Sequence, residues 1–150
     1  MRSRGAGAAF AGPTAEQTVT YEVAAINELA VSAPTVSLIV NSVTAGLAPN
    51  VATDSSTSYA ITTNETNRKI TGVINSNMPS GATLSITLAA PSAAFSMGKQ
   101  ALSTSPVDLV GDISTLNETG KTISYELGAT SAAGIVPSAT KTVTLTITAG

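Results

Sequence analysis

Apolar and polar residues alternate with a period of two along most of this 150-residue chain after Thr18. Successive side chains of a strand point to opposite faces, so this alternation predicts sheets with one buried and one wet face. Parallel strands would read as continuous apolar runs, so antiparallel pairing is favoured. Clusters of Gly, Pro, Asn and Ser separate the segments that carry the pattern: 18–32, 35–41, 57–63, 68–75, 83–89, 107–113, 121–127 and 140–148. Short strands so spaced predict an all-β antiparallel sandwich, either Ig-like or jelly-roll-like.

The first run, TVTYEVAAINELAVS at 18–32, is the longest. One of its faces carries the apolar residues Val19, Tyr21, Val23, Ala25, Leu29 and Val31. Asn27 interrupts that face and Ile26 interrupts the polar one, which predicts a bulge or a change of burial near the middle. At about 3.3 Å per residue the run would span roughly 50 Å, against a usual strand of about five or six residues.

Three arrangements are open to such a strand. It could bend near residues 25–27 and serve both sheets of its own domain, remain an exposed edge, or complete the sheet of a neighbouring copy. In the third arrangement each large apolar side chain that becomes fully buried contributes about 1.5–3 kcal/mol, offset by several kcal/mol of association cost. Head-to-tail transfer of a strand does not close on itself, so it builds a fibre.

Residues 1–15 contain part of a signal-peptide pattern. Arg2 and Arg4 fit its charged region and Ala9-Phe10-Ala11 fits a cleavage site, but the apolar region between them is missing. We therefore expect residues 1–15 to be a flexible leader or signal-peptide remnant, residues 16–33 the N-terminal donor strand, and residues 34–150 the sandwich domain.

Composition narrows the classes of partner. Only 11% of residues are charged and the net charge is −2, which argues against nucleic-acid or anionic-membrane partners. No stretch reaches the roughly 18 apolar residues of a membrane span. A weakly charged sequence rich in Ser and Thr is typical of exported bacterial proteins, so we expect an extracellular or cell-surface location.

The residues that usually carry catalysis are scarce. The chain has no Cys, His or Trp, which excludes disulfides, thiolate metal sites and Ser-His-Asp or Cys-His catalysis. The acidic residues are spread widely, so we expect no enzyme and no cofactor. Asp108, Asp112 and Glu118 are weak candidates for a Ca²⁺ site, but their spacing matches no EF-hand loop, and we expect solvated acids rather than a metal site. An unrecognised enzyme would require a concave cluster of buried carboxylates with shifted pKa values.

Two similar phrases, TTNETNRKITGVI and TLNETGKTISYEL, predict two similar hairpin turns. Their Asn64 and Asn117 fit the glycosylation sequon, although we expect neither to be modified in a bacterial-looking protein. Phe95 and Met97 fall in a predicted loop. If the protein is a binding module, it needs exposed aromatic residues such as Phe95. The alternative is that Phe95 and Met97 form a small satellite core under the loop.

The first run, the stretch SYAITTNETNRKITGVINSNMPSGATLSITLAAP and the closing SATKTVTLTIT together resemble a group of small exported bacterial β-sandwich proteins rich in Thr and Ala. In organisation the chain is also similar to pilins that assemble by donor-strand exchange. That resemblance implies that Val19, Tyr21, Val23 and Ala25 insert into the next subunit. The chain departs from chaperone–usher pilins in lacking their disulfide and the aromatic residue near the C-terminus.

The sequence therefore predicts a structural subunit of an extracellular filament or pilus, whose partner is another copy of itself. Other cell-surface or matrix components are further candidate partners. The alternative is a secreted Ig-like adhesin, or a carbohydrate- or protein-binding module, that acts as a monomer.

Overall fold

The computed structural model describes residues 12–150, so the predictions for Arg2, Arg4 and the segment Ala9-Phe10-Ala11 lie outside the described residues. Over the described range the chain contains nine strands and a single 3-10 turn at Ser131–Ala133. The strands are β1 (Asn27–Val31), β2 (Ala52–Thr63), β3 (Arg68–Ile74), β4 (Ala82–Leu88), β5 (Phe95–Ser96), β6 (Gln100–Ala101), β7 (Val107–Ile113), β8 (Leu116–Ala129) and β9 (Val143–Ala149).

The strands form two antiparallel sheets, which confirms the prediction of an all-β fold. One sheet has the order β1-β2-β8-β4-β6 and the other β5-β7-β3-β9. Inward-facing side chains from both sheets form one apolar core. The first sheet contributes Tyr59, Ile61, Leu84, Ile86, Leu88 and Ile123, and the second contributes Ile70, Ile74, Leu109, Val110 and Ile113. The arrangement is that of a β-sandwich, with β1 and β9 as terminal strands of their sheets.

The predicted strand bounds differ from the structure in several places. β2 begins at Ala52 rather than at residue 57, and β8 spans Leu116–Ala129 rather than 121–127. The segment 35–41 is not a strand: residues 32–51 form a loop, closed by backbone hydrogen bonds from Leu47 to Thr44 (3.0 Å) and from Asn50 to Ser42 (2.9 Å). Alternation alone does not make a strand, because the backbone also needs a neighbour for its N–H and C=O groups. The short strands β5 and β6 were not predicted, since two residues are too few to show a period.

The run 18–32 divides into two parts. Only Asn27–Val31 is a strand, paired antiparallel with Tyr59–Thr63 of β2 in the same chain. Residues 14–26 have no strand partner, helix or turn. The change of burial predicted near residues 25–27 coincides with this boundary. β1 is the terminal strand of the first sheet, so residues 27–31 of the predicted segment 16–33 are part of the sandwich.

The two ends of the sandwich define its direction. At one end, called the lower end here, Asn27 pairs with Thr63 and Arg68 pairs with Ala149. The short connection 64–67 joins these two pairs, so they lie at the same end. At the opposite, upper end, Val143 pairs with Ile74. The chain therefore runs upward in β1 and downward in β9.

Candidate self-association site

Residues 12–26, called the arm, lie outside the sandwich. The apolar side chains that alternate along it are almost fully accessible to solvent, with exposed fractions of 75% for Val19, 89% for Tyr21 and 79% for Val23. A single exposed apolar residue is ordinary on a protein surface, but a periodic row of them is typical of a surface that binds a partner. The arm therefore presents one face of a strand without a sheet.

Asn64 fixes the position at which the arm leaves the sandwich. Its side-chain oxygen accepts a hydrogen bond from the backbone N–H of Ile26 at 2.8 Å, and its side-chain amide donates to the carbonyl of Ala24 at 2.8 Å. The backbone N–H of Asn64 also donates to the carbonyl of Ile26 at 3.2 Å. These bonds hold residues 24–26 beside the lower end, in continuation of β1.

An apolar groove of about 670 Å³ opens between β1 and β9. Leu29 and Val31 of β1 lie on one side, and Val143 and Leu145 of β9 on the other. Tyr59 lies among the residues at its base. Leu29, Val143 and Leu145 pack against the core but remain partly exposed. Residues 33–36 and Leu38 of the loop after β1 line the same groove, so the core is only partly covered along this line.

The edges of the groove have free backbone hydrogen-bonding groups. β1 and β9 are each the last strand of their sheet among residues 12–150, so one side of each has no strand partner. The groove extends along residues 139–145, the upper half of β9 and the segment before it. An unpaired strand edge beside uncovered apolar residues is the geometry that accepts an added strand.

The charges of the arm and the groove are complementary. Within residues 12–26 the ionisable side chains are Glu16 and Glu22, and Tyr21 is the remaining titratable group. Lys141 lines the upper end of the groove and donates to the hydroxyl of Ser76 at 2.7 Å. Among the described residues, it is the one basic side chain that forms no salt bridge.

The structure separates the residues predicted for the inter-subunit strand. Val19, Tyr21, Val23 and Ala25 lie in the exposed arm, whereas Leu29 and Val31 lie in β1 and pair with the chain's own β2. Leu29 also packs against the chain's own core. Only the first four residues are therefore available to a neighbour in the form that the sequence predicted.

The three candidate metal-ligating acids do not come together. Asp108 forms a salt bridge with Lys69 at 3.1 Å, and Glu118 forms one with Lys121 at 2.9 Å. Asp112 has a φ of 57°, a left-handed conformation that Asp adopts more readily than most residues. Across residues 12–150, no group of three acidic, His or Cys side chains is placed to hold a metal ion.

Glu118 is nevertheless well ordered by its neighbours. The bond from Lys121, and then the bonds from Ser92, hold the pKa of its carboxyl below the ordinary value. The Ser92 N–H donates to both carboxylate oxygens, at 3.0 and 3.1 Å. Burial, and secondarily the nearby Glu118 charge, raises the pKa of Tyr59 to about 12. Each of these pKa shifts therefore has its cause in the contacts described.

The two Asn-Glu-Thr phrases are not two similar turns, so that prediction was wrong. Asn64 begins the connection between β2 and β3, whereas Asn117 lies within β8, opposite Thr62. The similar sequences differ in structure because β8 continues through Gly120, whose φ of 70° is a conformation open to glycine. Both asparagines are exposed.

Phe95 and Met97 are partly at the surface. The exposed fraction of Phe95 is 61%, and it pairs with Gly111 in the short contact between β5 and β7. A Cβ added at position 111 would lie 3.0 Å from the Met97 methyl, so Met97 covers that strand. Phe95 is therefore an exposed aromatic side chain on the sandwich, the feature that a binding module would need.

Sequence reasoning did not find the groove. The alternation in 140–148 predicted a strand, but no local pattern shows that this strand is the last in its sheet. The signal for the groove that the sequence offered was Lys141, a basic residue directly before an apolar alternating run. The groove depends on the order of the strands in the sheets, which arises from pairing between segments that are distant in the sequence.

Comparison with protein-family models, curated protein sequences and solved structures gave no match. Over residues 12–150, no helix is long and apolar enough to span a membrane.

Proposed function

We propose that this protein is a structural subunit of an extracellular filament, in which the arm of one copy fills the groove of the next. The sandwich, Ig-like or jelly-roll-like, is in this proposal the repeating body of the filament. The observation that carries the proposal is the coexistence, in one chain, of an exposed segment with alternating apolar residues and a partly open apolar groove between two sheet edges.

The position of the arm favours a neighbour over the chain's own groove. The arm leaves at the lower end, where Asn64 holds residues 24–26, and the groove opens toward the upper end. Self-insertion would require the chain to reverse at its root and break those hydrogen bonds. Transfer to another copy requires no such change, and a head-to-tail contact repeats without closing.

The free-energy gains from inserting the arm are of the same order as the costs of association. Burying Val19, Tyr21 and Val23 would contribute about 1.5–3 kcal/mol for each side chain. Pairing of the arm backbone with a free strand edge adds hydrogen bonds worth about 0.5–1.5 kcal/mol each. These gains offset association costs of about 4–15 kcal/mol, so affinity depends on the apolar residues of the arm.

The proposal is tested by one substitution in the arm and one matched control. Tyr21→Ser removes the largest apolar side chain of the arm, and Thr20→Ser alters the adjacent position on the opposite face. We expect the wild-type chain and Thr20→Ser to form fibres by negative-stain electron microscopy, and Tyr21→Ser to remain monomeric by light scattering. Before assembly, all three should show the same circular dichroism, because the side chain of Tyr21 is 89% exposed in the single chain.

A wild-type chain that remains monomeric at high concentration would contradict the proposal. So would fibres of Tyr21→Ser that form as readily as those of the wild type. Glycan binding by a fibre-free monomer would instead favour the adhesin or binding-module function, for which the exposure of Phe95 is the supporting observation.

A further inference from the structure

The proposed function leaves open how the arm lies in the groove, and the structure restricts this. We propose that the arm enters at the Lys141 end of the groove and pairs antiparallel with β9, with Tyr21 opposite Val143 and Thr20 opposite Thr144. This inference rests on the proposed function and goes further, because it assigns the acceptor strand, the direction and the register.

The direction follows from the two ends of the sandwich. In a head-to-tail row the arm descends from the lower end of one copy and meets the upper end of the next, where Lys141 lies. Residue 23 then lies at the mouth of the groove and residue 12 farthest inside. The arm therefore runs upward from residue 12 to residue 23, while β9 runs downward from Val143 to Ala149. The two strands are antiparallel, and the arm is parallel to β1.

The alternation limits the register. Residues directly opposite each other in an antiparallel pair have side chains on the same face of the sheet. Val143 and Leu145 face the core, so Val19, Tyr21 and Val23 must lie opposite odd-numbered positions of β9 to be buried. Tyr21 can accordingly lie opposite Lys141, Val143 or Leu145.

Two of these three registers conflict with the structure. With Tyr21 opposite Lys141, Gln17 would lie opposite Leu145 and place a polar amide inside the groove, which is costly without a partner. With Tyr21 opposite Val143, Gln17 lies opposite Ile147, beyond the residues that line the groove. With Tyr21 opposite Leu145, Ala25 would have to enter the groove. Ala24 and Ile26 are bound to Asn64 of their own subunit, so Ala25 cannot leave without breaking those bonds.

The remaining register is consistent with every apolar residue of the arm. Tyr21 lies opposite Val143 and Val19 opposite Leu145, the two β9 residues that line the groove. Val23 lies opposite Lys141, whose aliphatic stem it can cover. On the outer face the pairs are Thr20 with Thr144 and Thr18 with Thr146, and threonine pairs stabilise adjacent strands.

Charge supports the same placement. Glu22 lies opposite Thr142 on the outer face at the rim of the groove, whereas Lys141 lies on the inner face, so the two side chains are neighbours without forming an ion pair. Attraction between these two charges contributes to the choice of direction more than to affinity.

Engineered disulfides test the register directly, because the chain has no cysteine of its own. Directly opposite residues of antiparallel strands have Cα atoms about 4.5–5.5 Å apart, within the range that a disulfide bridges. We choose Thr20→Cys with Thr144→Cys in one chain, and Thr18→Cys with Thr146→Cys as a second pair. The matched control is Thr20→Cys with Thr148→Cys, which retains the outer face but displaces the partner by four residues.

Fibres of the two test variants, oxidised and run on a non-reducing denaturing gel, are expected to give a ladder of covalent oligomers that reduction removes. The control should run as a monomer although it forms fibres. Fibres whose test variants give no ladder, or whose control gives the stronger ladder, would overturn the register while leaving strand exchange intact. A complete absence of fibres in the wild type would overturn the proposed function and this inference with it.

Discussion

At the scale of single residues, Asn64 is the side chain that ties the arm to the sandwich. Its amide group forms both a donated and an accepted hydrogen bond with residues 24–26. Substituting it by alanine removes both while leaving the backbone bond from Asn64 to Ile26 in place. The sequence predicted a turn at this position but not its partner, since Ala24 and Asn64 are forty residues apart.

We predict that Asn64→Ala raises the hydrogen-exchange rate of the Ile26 amide about tenfold. Loss of a hydrogen bond worth about 1.4 kcal/mol corresponds to a factor of that size in local opening. Asn117→Ala is the matched control, because Asn117 is also an exposed asparagine in an Asn-Glu-Thr phrase. Equal exchange rates in the wild type and Asn64→Ala would show that the side chain does not hold the arm.

Tyr59 provides a second residue-scale prediction, in alkaline solution. Its pKa is raised to about 12 by burial and by Glu118, and its hydroxyl donates to the carbonyl of Ala89 at 2.5 Å. An unfolded tyrosine has a pKa of about 10, so the folded state favours the protonated form. The stability that this gives is full below about pH 10 and is lost as the pH rises toward 12.

We therefore expect the free energy of unfolding, measured by urea titration of the monomer, to fall between about pH 10 and 12. Tyr59→Phe should start lower, because it loses the bond to Ala89, but should fall less steeply. Burial also raises the pKa of Tyr125, so part of the slope remains in the variant. Tyr21→Phe, at an exposed position, is expected to retain the wild-type slope; an unchanged slope in Tyr59→Phe would contradict the assignment.

At the scale of elements, a close approach of two backbones joins β4 to the chain after β8. Gly81 has a φ of 83°, and a Cβ built on it would lie 2.9 Å from the backbone nitrogen of Ala133. The carbonyl of Gly81 also accepts a hydrogen bond from the N–H of Thr130 at 2.9 Å. Position 81 therefore requires glycine for two reasons, its backbone conformation and the lack of space.

Gly46→Ala separates these reasons, because Gly46 has a φ of 88° and a Cβ added there would meet no atom within 4 Å. We predict that Gly46→Ala costs about 1–2 kcal/mol, the strain of a left-handed alanine. Gly81→Ala should cost about 1–3 kcal/mol more, because the backbone of Ala133 must also move. Chemical denaturation measures both, and equal losses would show that the close approach is not restrictive.

The strands differ in how well the sequence predicts them, and the reason is physical. Val107–Ile113 has the predicted bounds, and β3, β4 and β9 lie within three residues of theirs. β2 and β8 contain their predicted segments but are longer. Alternation reports a face that is buried, as in these strands. The alternation fails for residues 35–41, whose side chains alternate although their backbone has no strand partner. It also cannot show where the run 18–32 leaves its sheet, because the arm and β1 have the same pattern.

At the scale of the whole molecule, the arm and the groove are unequally visible in the sequence. The arm is local, so its pattern can be read directly from residues 18–26. The groove is formed by β1 and β9, which lie more than a hundred residues apart and belong to different sheets. No window of sequence contains both walls, and the uncovered core between them follows only from strand order.

If the arm of one copy fills the groove of the next, a free peptide with the sequence of the arm should bind the groove as a ligand. We predict that a synthetic peptide of residues 12–26 raises the melting temperature of the monomeric Tyr21→Ser variant and shortens wild-type fibres. At a hundred times its dissociation constant, a ligand that binds only the folded state adds about 2.7 kcal/mol of stability. For a domain of this size that corresponds to a shift of roughly 5–10 °C. The same peptide with Tyr21→Ser is the control, and should leave both measurements unchanged because it cannot fill the groove. If the two peptides act equally, or neither acts while fibres still form, the filament is held together by a surface other than the groove.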